Sequence, residues 1–347
     1  PFQDNGIKFF GPDGYKLDDD LELEIEQRLL EESHSNPENP VAMGRCAKLE
    51  RSAEDYISFV RESVGNDSHL LSGMKIALDN SNGASFRTSE AILRSLGAEV
   101  ISYHDHPNGI NINEDCGCTH ADVIAALVKE TGAHVGVSHD GDADRVLLAD
   151  ETGSALDGDE MMAMAAIDMI EKGILKDNTL VATVMSNAGL IEAVAKAGGK
   201  VVRTGVGDRY VIEEMRKHGY NLGGEQSGHF IFHDHITTGD GIISAVQLLR
   251  IIKEKNQPLS ELRKVMTKFP QAQRNVRVTK KMPVDEIAGA SDILKETESQ
   301  LGNEGRVLLR YSGTEPLLRI LIEGRDGDYI NAKADELASA VTDAIGE

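Results

Sequence analysis

The chain has 347 residues, 40% of them hydrophobic and 27% charged, a balance typical of a globular protein long enough for two to four domains. Acidic residues outnumber basic ones by 58 to 36, and the resulting formal net charge of −22 argues against nucleic acid or an anionic membrane as a partner. No apolar run approaches the roughly twenty residues of a membrane-spanning helix, and three cysteines (Cys46, Cys116 and Cys118) are too few for a disulfide framework. We therefore expect a reduced, cytoplasmic setting.

Helix-like and strand-like segments alternate along most of the chain. A first helix is predicted at 18–30, where apolar residues recur every four positions. The strands predicted next lie at 74–78, 99–103, 133–137, 146–149, 179–185, 200–204 and around 221–232. The helices predicted among them lie at 89–96, 121–130, 160–171, 189–197, 210–217 and 241–254. This rhythm indicates α/β layers.

The last part of the chain has a different plan. It reads as a strand at 274–278, a helix at 284–301, two strands within 306–323 and a helix at 328–345. The sequence therefore predicts an α/β protein made of consecutive α/β mixed-sheet domains, followed by a small α+β C-terminal domain.

The segment 139–145 carries the strongest chemical signal. Asp140, Asp142 and Asp144 alternate, and Arg145 follows directly. Oxygen-only ligands at this spacing favour a hard divalent ion such as Mg²⁺ or Ca²⁺, and the guanidinium suits a phosphate or carboxylate near it. An EF-hand would place Glu151 at its twelfth position, but Arg145 stands where that loop needs glycine. A solvated acidic loop without a metal is the remaining alternative.

Two further loops carry groups that suit a phosphorylated sugar. Residues 310–319 lie between two apolar strands and combine two arginines, two hydroxyls and a glycine, which suits a phosphate dianion, although a structural turn is an alternative. The candidate ligands there are Arg310, Ser312, Gly313, Thr314 and Arg319. Residues 223–229 place Glu225, Gln226, Ser227 and His229 between strands, where they would orient a polyol or form a plain polar hairpin.

Taken in chain order, these loops resemble those of the α-D-phosphohexomutase superfamily, and the resemblance covers the whole chain. Residues 4–8 are similar to the end of its phosphoserine loop, 140–145 to its metal loop, 224–229 to its sugar loop and 310–319 to its phosphate loop. Gln226 and the stretches 111–120 and 207–210 are similar to the amino-sugar branch. Two departures are visible: Cys118 stands where serine is common, and Tyr311 where proline is common.

The resemblance implies an isomerase that interconverts glucosamine 6-phosphate and glucosamine 1-phosphate on the route to UDP-N-acetylglucosamine. A phosphoserine would give its phosphoryl group to this hexosamine phosphate, forming a bisphosphorylated sugar that turns around and returns the other phosphate. The implied cofactor is Mg²⁺, held by Asp140, Asp142 and Asp144. Arg145 would steady the transferred group, and Lys8 would assist proton transfer, provided that its pKa is lowered.

The resemblance also assigns the substrate contacts. Glu225, Ser227 and His229 would bind the sugar, and the five candidate ligands of the loop 310–319 would hold the phosphate that does not react. A phosphomannomutase/phosphoglucomutase with the same chemistry is one alternative. A catalytically silent sugar-phosphate-binding fragment is another. The sequence predicts no oligomeric state.

The chain begins at the proline of the superfamily motif Ser-His-Asn-Pro. The resemblance therefore implies that the phosphorylated serine and most of the first domain precede Pro1. On this interpretation residues 1–51 are the remnant of domain 1, 52–150 are domain 2 with the metal loop, 151–264 are domain 3 with the sugar loop, and 265–347 are domain 4 with the phosphate loop.

Overall fold

The structure, a computed structural model, describes residues 1–4, 6–32, 45–312 and 315–346. The chain divides into two compact units. The first consists of Pro1–Met185 and Ala197–Lys264, and the second of Ser186–Lys196 and Val265–Glu347. None of the helices within these described ranges is both long and apolar enough to cross a membrane.

The α-helices and strands follow one another along the chain as listed here. The helices are α1 (Asp19–Glu32), α2 (Ser52–Glu62), α3 (Ser89–Ser95), α4 (Ala121–Thr131), α5 (Gly158–Glu171), α6 (Ala188–Lys196), α7 (Asp208–His218), α8 (Gly241–Lys255), α9 (Leu259–Leu262), α10 (Ala290–Leu301) and α11 (Gly327–Ile345). The strands are β1 (Lys75–Asp79), β2 (Glu99–Tyr103), β3 (Val135–His139), β4 (Val146–Asp150), β5 (Ala155–Leu156), β6 (Thr179–Thr183), β7 (Lys200–Thr204), β8 (Leu222–Gly224), β9 (Phe230–Phe232), β10 (Gln271–Arg277), β11 (Gly305–Tyr311) and β12 (Leu317–Gly324).

Two mixed sheets form the first unit. One has the order β2-β1-β3-β4-β5, in which β1 runs parallel to β2 and β3 while β3, β4 and β5 are antiparallel. The other has the order β7-β6-β8-β9, in which β6 runs parallel to β7 and β8, and β8 is antiparallel to β9. All five residues of β3 and of β6 are buried, as expected for central strands covered on both faces.

Local sequence signals explain where the central helices of this unit begin. The side chain of Asp240 accepts from the amides of Ile242 and Ile243 and so caps α8, whose largely buried surface packs against β3, β4 and α5. Asp157 and Glu160 form a reciprocal capping box at the start of α5. Both helices therefore start at fixed positions beside the sheets.

The second unit contains the antiparallel sheet β10-β12-β11. Buried residues of β10 and β12 pack against α11, which covers one face of the sheet together with α10. The consecutive mixed-sheet α/β domains and the small α+β domain predicted from the sequence are confirmed.

Several elements differ from the sequence-based prediction. Helices α2 and α9 were not predicted, and β5 extends the first sheet beyond residue 150. The helix predicted at 284–301 begins only at Ala290, after a separate 3₁₀ turn at Val284–Glu286. Gly289, which has a φ of 78°, separates the two because a left-handed residue interrupts the helical hydrogen bonds.

A buried ion-pair network provides a test of the stability of the first unit. Arg263 donates to Glu160 Oε1 from Nε and Nη2 at 2.9 and 2.7 Å, and to Asp150 Oδ2 from Nη1 at 2.9 Å. The side chains of Asp150 and Glu160 are only 2% and 11% exposed. The guanidinium therefore compensates two carboxylates that have little access to water.

We predict that Arg263→Ala lowers the free energy of unfolding by about 2–4 kcal/mol, because it leaves two buried carboxylates without their cation. Urea denaturation followed by circular dichroism measures the change. Lys264→Ala is the matched control: its ion pair with Glu261 is exposed, so we expect a loss below about 1 kcal/mol. Equal losses in the two variants would contradict the prediction.

Candidate active site

The acidic loop, residues 140–145, is the turn between the antiparallel strands β3 and β4. One carboxylate oxygen from each of Asp140, Asp142 and Asp144 lies within 4.8 Å of the other two. The side chains of Asp140 and Asp144 are 14% and 21% exposed, whereas that of Asp142 is 59% exposed. The structure therefore brings the three aspartates together at the end of a buried sheet, with the Asp142 side open to solvent.

The electrostatics of the acidic loop fit a divalent cation. Burial and the charges of Asp144 and Asp142 raise the pKa of Asp140 to about 7. Burial alone would also raise the pKa of Asp144, but His229 and Lys8 outweigh it and hold that pKa well below its usual range. Asp144 Oδ1 is buried and accepts no hydrogen bond from any described residue; its ion-pair contact with Arg145 Nε is 3.7 Å long. An oxygen-only cluster in which neighbouring carboxylates raise the pKa of Asp140, and in which one buried oxygen accepts no hydrogen bond, suits a hard metal ion.

Lys8 lies against the acidic loop. Its Nζ donates to Asp142 Oδ2 at 2.9 Å and to Asp144 Oδ2 at 3.2 Å. Burial lowers the pKa of Lys8, but the hydrogen bond and charges of the two aspartates outweigh burial and raise it. The lowered pKa that an acid–base role needs is therefore not found in this arrangement, because the ammonium faces carboxylates rather than cations.

Arg145 closes the acidic loop. Its backbone N–H donates to Asp140 Oδ1 at 3.1 Å, and its Nε lies 3.7 Å from one carboxylate oxygen of Asp140 and one of Asp144. The side chain remains 42% exposed. The guanidinium therefore lies beside the acidic cluster with part of its donor fork accessible to an anion.

The sugar loop, residues 224–229, is bonded to the strand that follows the acidic loop. The amide of Val146 donates to the carbonyl of Gly228 at 3.0 Å. Gly228 has a φ of 91°, and a Cβ there would lie 2.3 Å from the Val146 carbonyl oxygen, so only glycine permits this approach. Glu225 is half-buried, and its Oε1 accepts from the Gly207 amide at 3.1 Å, whereas Ser227 is exposed.

His229 lies deeper than the rest of the sugar loop, with a side chain only 4% exposed. Its Nδ1 is 3.6 Å from Asp144 Oδ2, and its Nε2 is 3.7 Å from Asp208 Oδ2. Asp208 also pairs with Lys16. Burial would raise the pKa of Asp208, but Lys16 and His229 outweigh it and lower that pKa. His229 thus lies between the acidic loop and the carboxylate of Asp208, whose charge is compensated by Lys16.

The phosphate loop belongs to the second unit. Arg310 and Arg319 are direct partners across β11 and β12, so their side chains project from the same face of the sheet. Arg319 Nη2 lies 3.5 Å from Ser312 Oγ and 3.1 Å from Glu315 Oε2. Ser312 is 3% exposed. Gly313 and Thr314, also predicted as phosphate ligands, lie outside the described residues.

Several neighbours of these loops were not predicted from the sequence. Lys281 donates from Nζ to the carbonyl of Ser312 at 2.7 Å, which adds a cation to the phosphate loop. Lys16 and Asp208, which pair beside His229, are 192 positions apart, and no local pattern connects them. Asp240, by contrast, directly precedes the apolar run of α8, as an N-cap does, and this signal was available.

Comparison with known proteins identifies the family. Residues 54–153, 157–269 and 274–340 match the models of the phosphoglucomutase/phosphomannomutase alpha/beta/alpha domain II, alpha/beta/alpha domain III and C-terminal domain. The chain is 51% identical to phosphoglucosamine mutase of Pelobacter propionicus over 349 residues, which cover 100% of this chain and 77% of that protein. It is 50% identical to the phosphoglucosamine mutase of Geotalea daltonii, covering 100% and 76%. The chain belongs to the phosphoglucosamine mutase family.

Solved structures agree on the fold. A phosphoglucomutase/phosphomannomutase family protein from Burkholderia thailandensis matches with a TM-score of 0.74 at 18% identity, over 94% of this chain and 71% of that one. An N-acetylphosphoglucosamine mutase from Aspergillus fumigatus, in complex with GlcNAc-6P and magnesium, matches with a TM-score of 0.68 at 20% identity, over 85% and 66%. The predicted superfamily is confirmed, and family membership makes the protein an isomerase of the phosphohexomutase type.

The pKa of Asp140 predicts how the binding of a divalent cation at the acidic loop would depend on pH. Below pH 7 Asp140 holds a proton that a cation would have to displace, so affinity would fall with decreasing pH and level off above pH 7. We expect Mn²⁺, used as a probe, to bind about tenfold more weakly at about pH 6 than at about pH 8. Electron paramagnetic resonance of free Mn²⁺ measures the affinity.

The control for this titration is Asp140→Asn, which removes the proton and one ligand charge together. We expect weaker Mn²⁺ binding whose affinity differs little between the two pH values. Equal affinities at both pH values for the unmodified protein would contradict the pH dependence expected from Asp140.

Proposed function

We propose that the protein interconverts glucosamine 6-phosphate and glucosamine 1-phosphate, through a phosphoserine and a bisphosphorylated sugar. The observation that carries the proposal is the backbone pairing between the sugar loop and the strand leaving the acidic loop, in a chain 51% identical to a phosphoglucosamine mutase. Phosphoryl transfer needs cationic charge beside the reacting group, and sugar recognition needs polar groups close to it. The first unit offers both in adjacent loops.

The metal ion that fits this site is Mg²⁺, with Asp140, Asp142 and Asp144 as its protein ligands. Support comes from their convergence within 4.8 Å and from the absence of nitrogen or sulfur from the donor set. When bound, Mg²⁺ would neutralise negative charge on the phosphoryl group in transfer. Arg145, partly exposed beside the cluster, would donate hydrogen bonds to that group.

Lys8 is our candidate for proton transfer at the substrate hydroxyl. Its ammonium already lies within hydrogen-bond distance of two of the proposed metal ligands. A divalent cation would cancel the carboxylate charges that raise the pKa of Lys8, so binding of the cation would shift that pKa towards the range where proton transfer is efficient.

The three predicted sugar contacts differ in accessibility. Ser227 is exposed and Glu225 half-buried, so both would hydrogen-bond to sugar hydroxyls or to the amine. His229 is almost fully buried between two carboxylates. We therefore assign His229 mainly to the orientation of Asp144. The direct sugar contact predicted for His229 has less support than those of Glu225 and Ser227, because its side chain is only 4% exposed.

In the second unit, we assign Arg310, Ser312 and Arg319 to the phosphate that is not transferred, together with Gly313 and Thr314. Two guanidinium groups on facing strand positions repel one another; Glu315 supplies one carboxylate to Arg319, and a phosphate dianion would compensate both arginines.

The proposed setting is the cytoplasm. Cys46, Cys116 and Cys118 are free thiols in the structure, which is the state that a reducing compartment maintains.

Arginine substitution tests the phosphate loop. In protein expressed from the complete coding sequence, Arg310→Ala and Arg319→Ala should each lower kcat/KM about ten- to a hundredfold, because a charge-assisted contact contributes about 1.5–3 kcal/mol. Arg325→Ala is the control, since Arg325 follows β12 at the end away from Arg319 and pairs with Glu192 and Glu304. Near wild-type kinetics for both test variants would remove this loop from substrate binding.

Substrate preference tests the amino-sugar assignment. An ammonium at the second carbon of the sugar gains an attraction of about 1–2 kcal/mol from carboxylates such as Glu225, which corresponds to roughly five- to thirtyfold. We expect kcat/KM for glucosamine 1-phosphate to exceed that for glucose 1-phosphate and mannose 1-phosphate by this factor. Equal or better use of either hexose phosphate would instead identify a phosphomannomutase/phosphoglucomutase.

A further inference from the structure

Asp79, His104 and Cys116 form a cluster outside the acidic loop. One potential ligand atom from each lies within 4.8 Å of the other two. Asp79 is the last residue of β1, and His104 directly follows the parallel neighbour β2. Cys116 lies in the loop that leads from β2 to α4. The carboxyl edge of the first sheet therefore gathers a carboxylate, an imidazole and a thiol that the proposed reaction does not use.

The backbone conformation of His104 places its imidazole within hydrogen-bond distance of the Asp79 carboxylate. His104 Nδ1 lies 2.9 Å from Asp79 Oδ1. His104 has a φ of 48°, a left-handed conformation that non-glycine residues adopt at a cost of about 1 kcal/mol or more. Its carbonyl accepts from the Asn82 amide at 2.6 Å, which fixes this conformation. The His104 side chain is 32% exposed, so the cluster has a route to solvent.

The thiol of Cys116 lies in an unusual environment for a buried cysteine. Cys116 is fully buried. Burial and the charges of Asp79, Asp115 and Glu114 raise the pKa of this thiol to about 12. A buried cysteine usually packs as a small apolar group, whereas this one faces negative charge that would favour a bound cation.

We propose that Asp79, His104 and Cys116 form a second metal site, selective for Zn²⁺ or a similar borderline-soft divalent ion. Mixed oxygen, nitrogen and sulfur ligands are typical of zinc, and three protein ligands leave a fourth position for water. Ligand atoms in a tetrahedral site with bonds of about 2.0 Å lie about 3.3 Å apart, so the Asp79–His104 contact would open by only a few tenths of an ångström.

Proton balance is simple at this site. On metal binding Cys116 releases its thiol proton to solvent and becomes the thiolate ligand. His104 would bind through Nδ1 as the tautomer that carries its proton on Nε2, because a metal ion takes the lone pair of an unprotonated ring nitrogen. Each metal ion therefore displaces one proton, and no oxidant or reductant is needed.

A metal ion here would fix loops that hold the acidic loop. Asp79 accepts from the amides of Ser81 and Gly117 at 2.9 and 2.8 Å. The hydroxyl of Ser81 donates to the carbonyl of His139, which also accepts from the Cys118 amide at 3.2 Å. His139 directly precedes Asp140. The second site would thus stabilise the strand end from which the acidic loop starts.

Cobalt substitution tests the proposal directly on the 347-residue chain. With Mg²⁺ in excess to occupy the oxygen-only acidic loop, metal-free protein is titrated with Co²⁺, and the cobalt–thiolate charge-transfer band is recorded. We expect the band to saturate at one Co²⁺ per chain and to be displaced by Zn²⁺. Cys116→Ser should abolish it, whereas the controls Cys118→Ser and Cys46→Ser should retain it. Zn²⁺ should raise the Tm of the unmodified chain but not of Cys116→Ser.

A second variant covers the case in which Cys116→Ser does not fold, as judged by circular dichroism. His104→Gln removes a partly exposed ligand, and we expect it to weaken Co²⁺ binding at least about 100-fold, since even outer partners of metal ligands contribute about 10- to 100-fold. Absence of the band from the unmodified chain would overturn the proposal and leave Asp79, His104 and Cys116 as a hydrogen-bonded cluster that binds no metal. Loss of the band in Cys118→Ser, or its persistence in Cys116→Ser or His104→Gln, would overturn the assignment. None of these outcomes depends on mutase activity.

Discussion

Repulsion among Asp140, Asp142 and Asp144 is the constraint on which the organisation of the first unit depends. At separations within 4.8 Å and an effective dielectric constant of about 20, each fully ionised pair repels by at least about 3.5 kcal/mol. A single backbone hydrogen bond contributes only about 1 kcal/mol, so it cannot hold the cluster. Two other features reduce the repulsion. The Lys8 ammonium donates hydrogen bonds to Asp142 and Asp144, and Asp140 retains its proton up to about pH 7.

Backbone contacts from distant segments complete this arrangement. The amide of Gly241 donates to the carbonyl of Ala143 at 2.9 Å, and the amide of Ala84 donates to the carbonyl of Gly141 at 2.8 Å. A Cβ on Gly83 would lie 2.3 Å from the same Gly141 oxygen, so glycine is required where the chains approach. Because these contacts use main-chain atoms, they shape the loop without occupying the carboxylate oxygens.

In the second unit, the fold brings positively charged side chains together, as it brings the aspartates together in the first unit. Arg310 and Arg319 are placed opposite one another by the register of β11 and β12, and Lys281 adds a third cation next to Ser312. In a protein with a net charge of −22, such a local cluster is where an anionic substrate can be captured. Like charges held together by the fold thus mark the proposed ligand on both units: a cation at the acidic loop, and a phosphate at the phosphate loop.

Local patterns in the sequence were sufficient for much of the fold and for the outline of the site. The strands at 99–103 and 200–204 were predicted to the residue, because short apolar runs between turn residues are read locally. The alternation of Asp140, Asp142 and Asp144 likewise predicted a shared cluster, since alternate residues in a tight turn cannot separate far. The helix expected from residue 284 failed because one glycine conformation interrupts it.

Contacts between distant residues required the tertiary structure. The burial of His229 between Asp144 and Asp208, and the direction of the pKa shift of Lys8, both depend on groups that lie far away in sequence. The cluster likewise joins Asp79 at the end of β1, His104 directly after β2 and Cys116 in the following loop, and the parallel pairing of β1 with β2 brings the first two together. The sequence by itself determined which residue types were available and in which local turns they lie. The packing of strands and loops decided which of them meet, because long-range proximity and burial, and hence pKa, have no local signature.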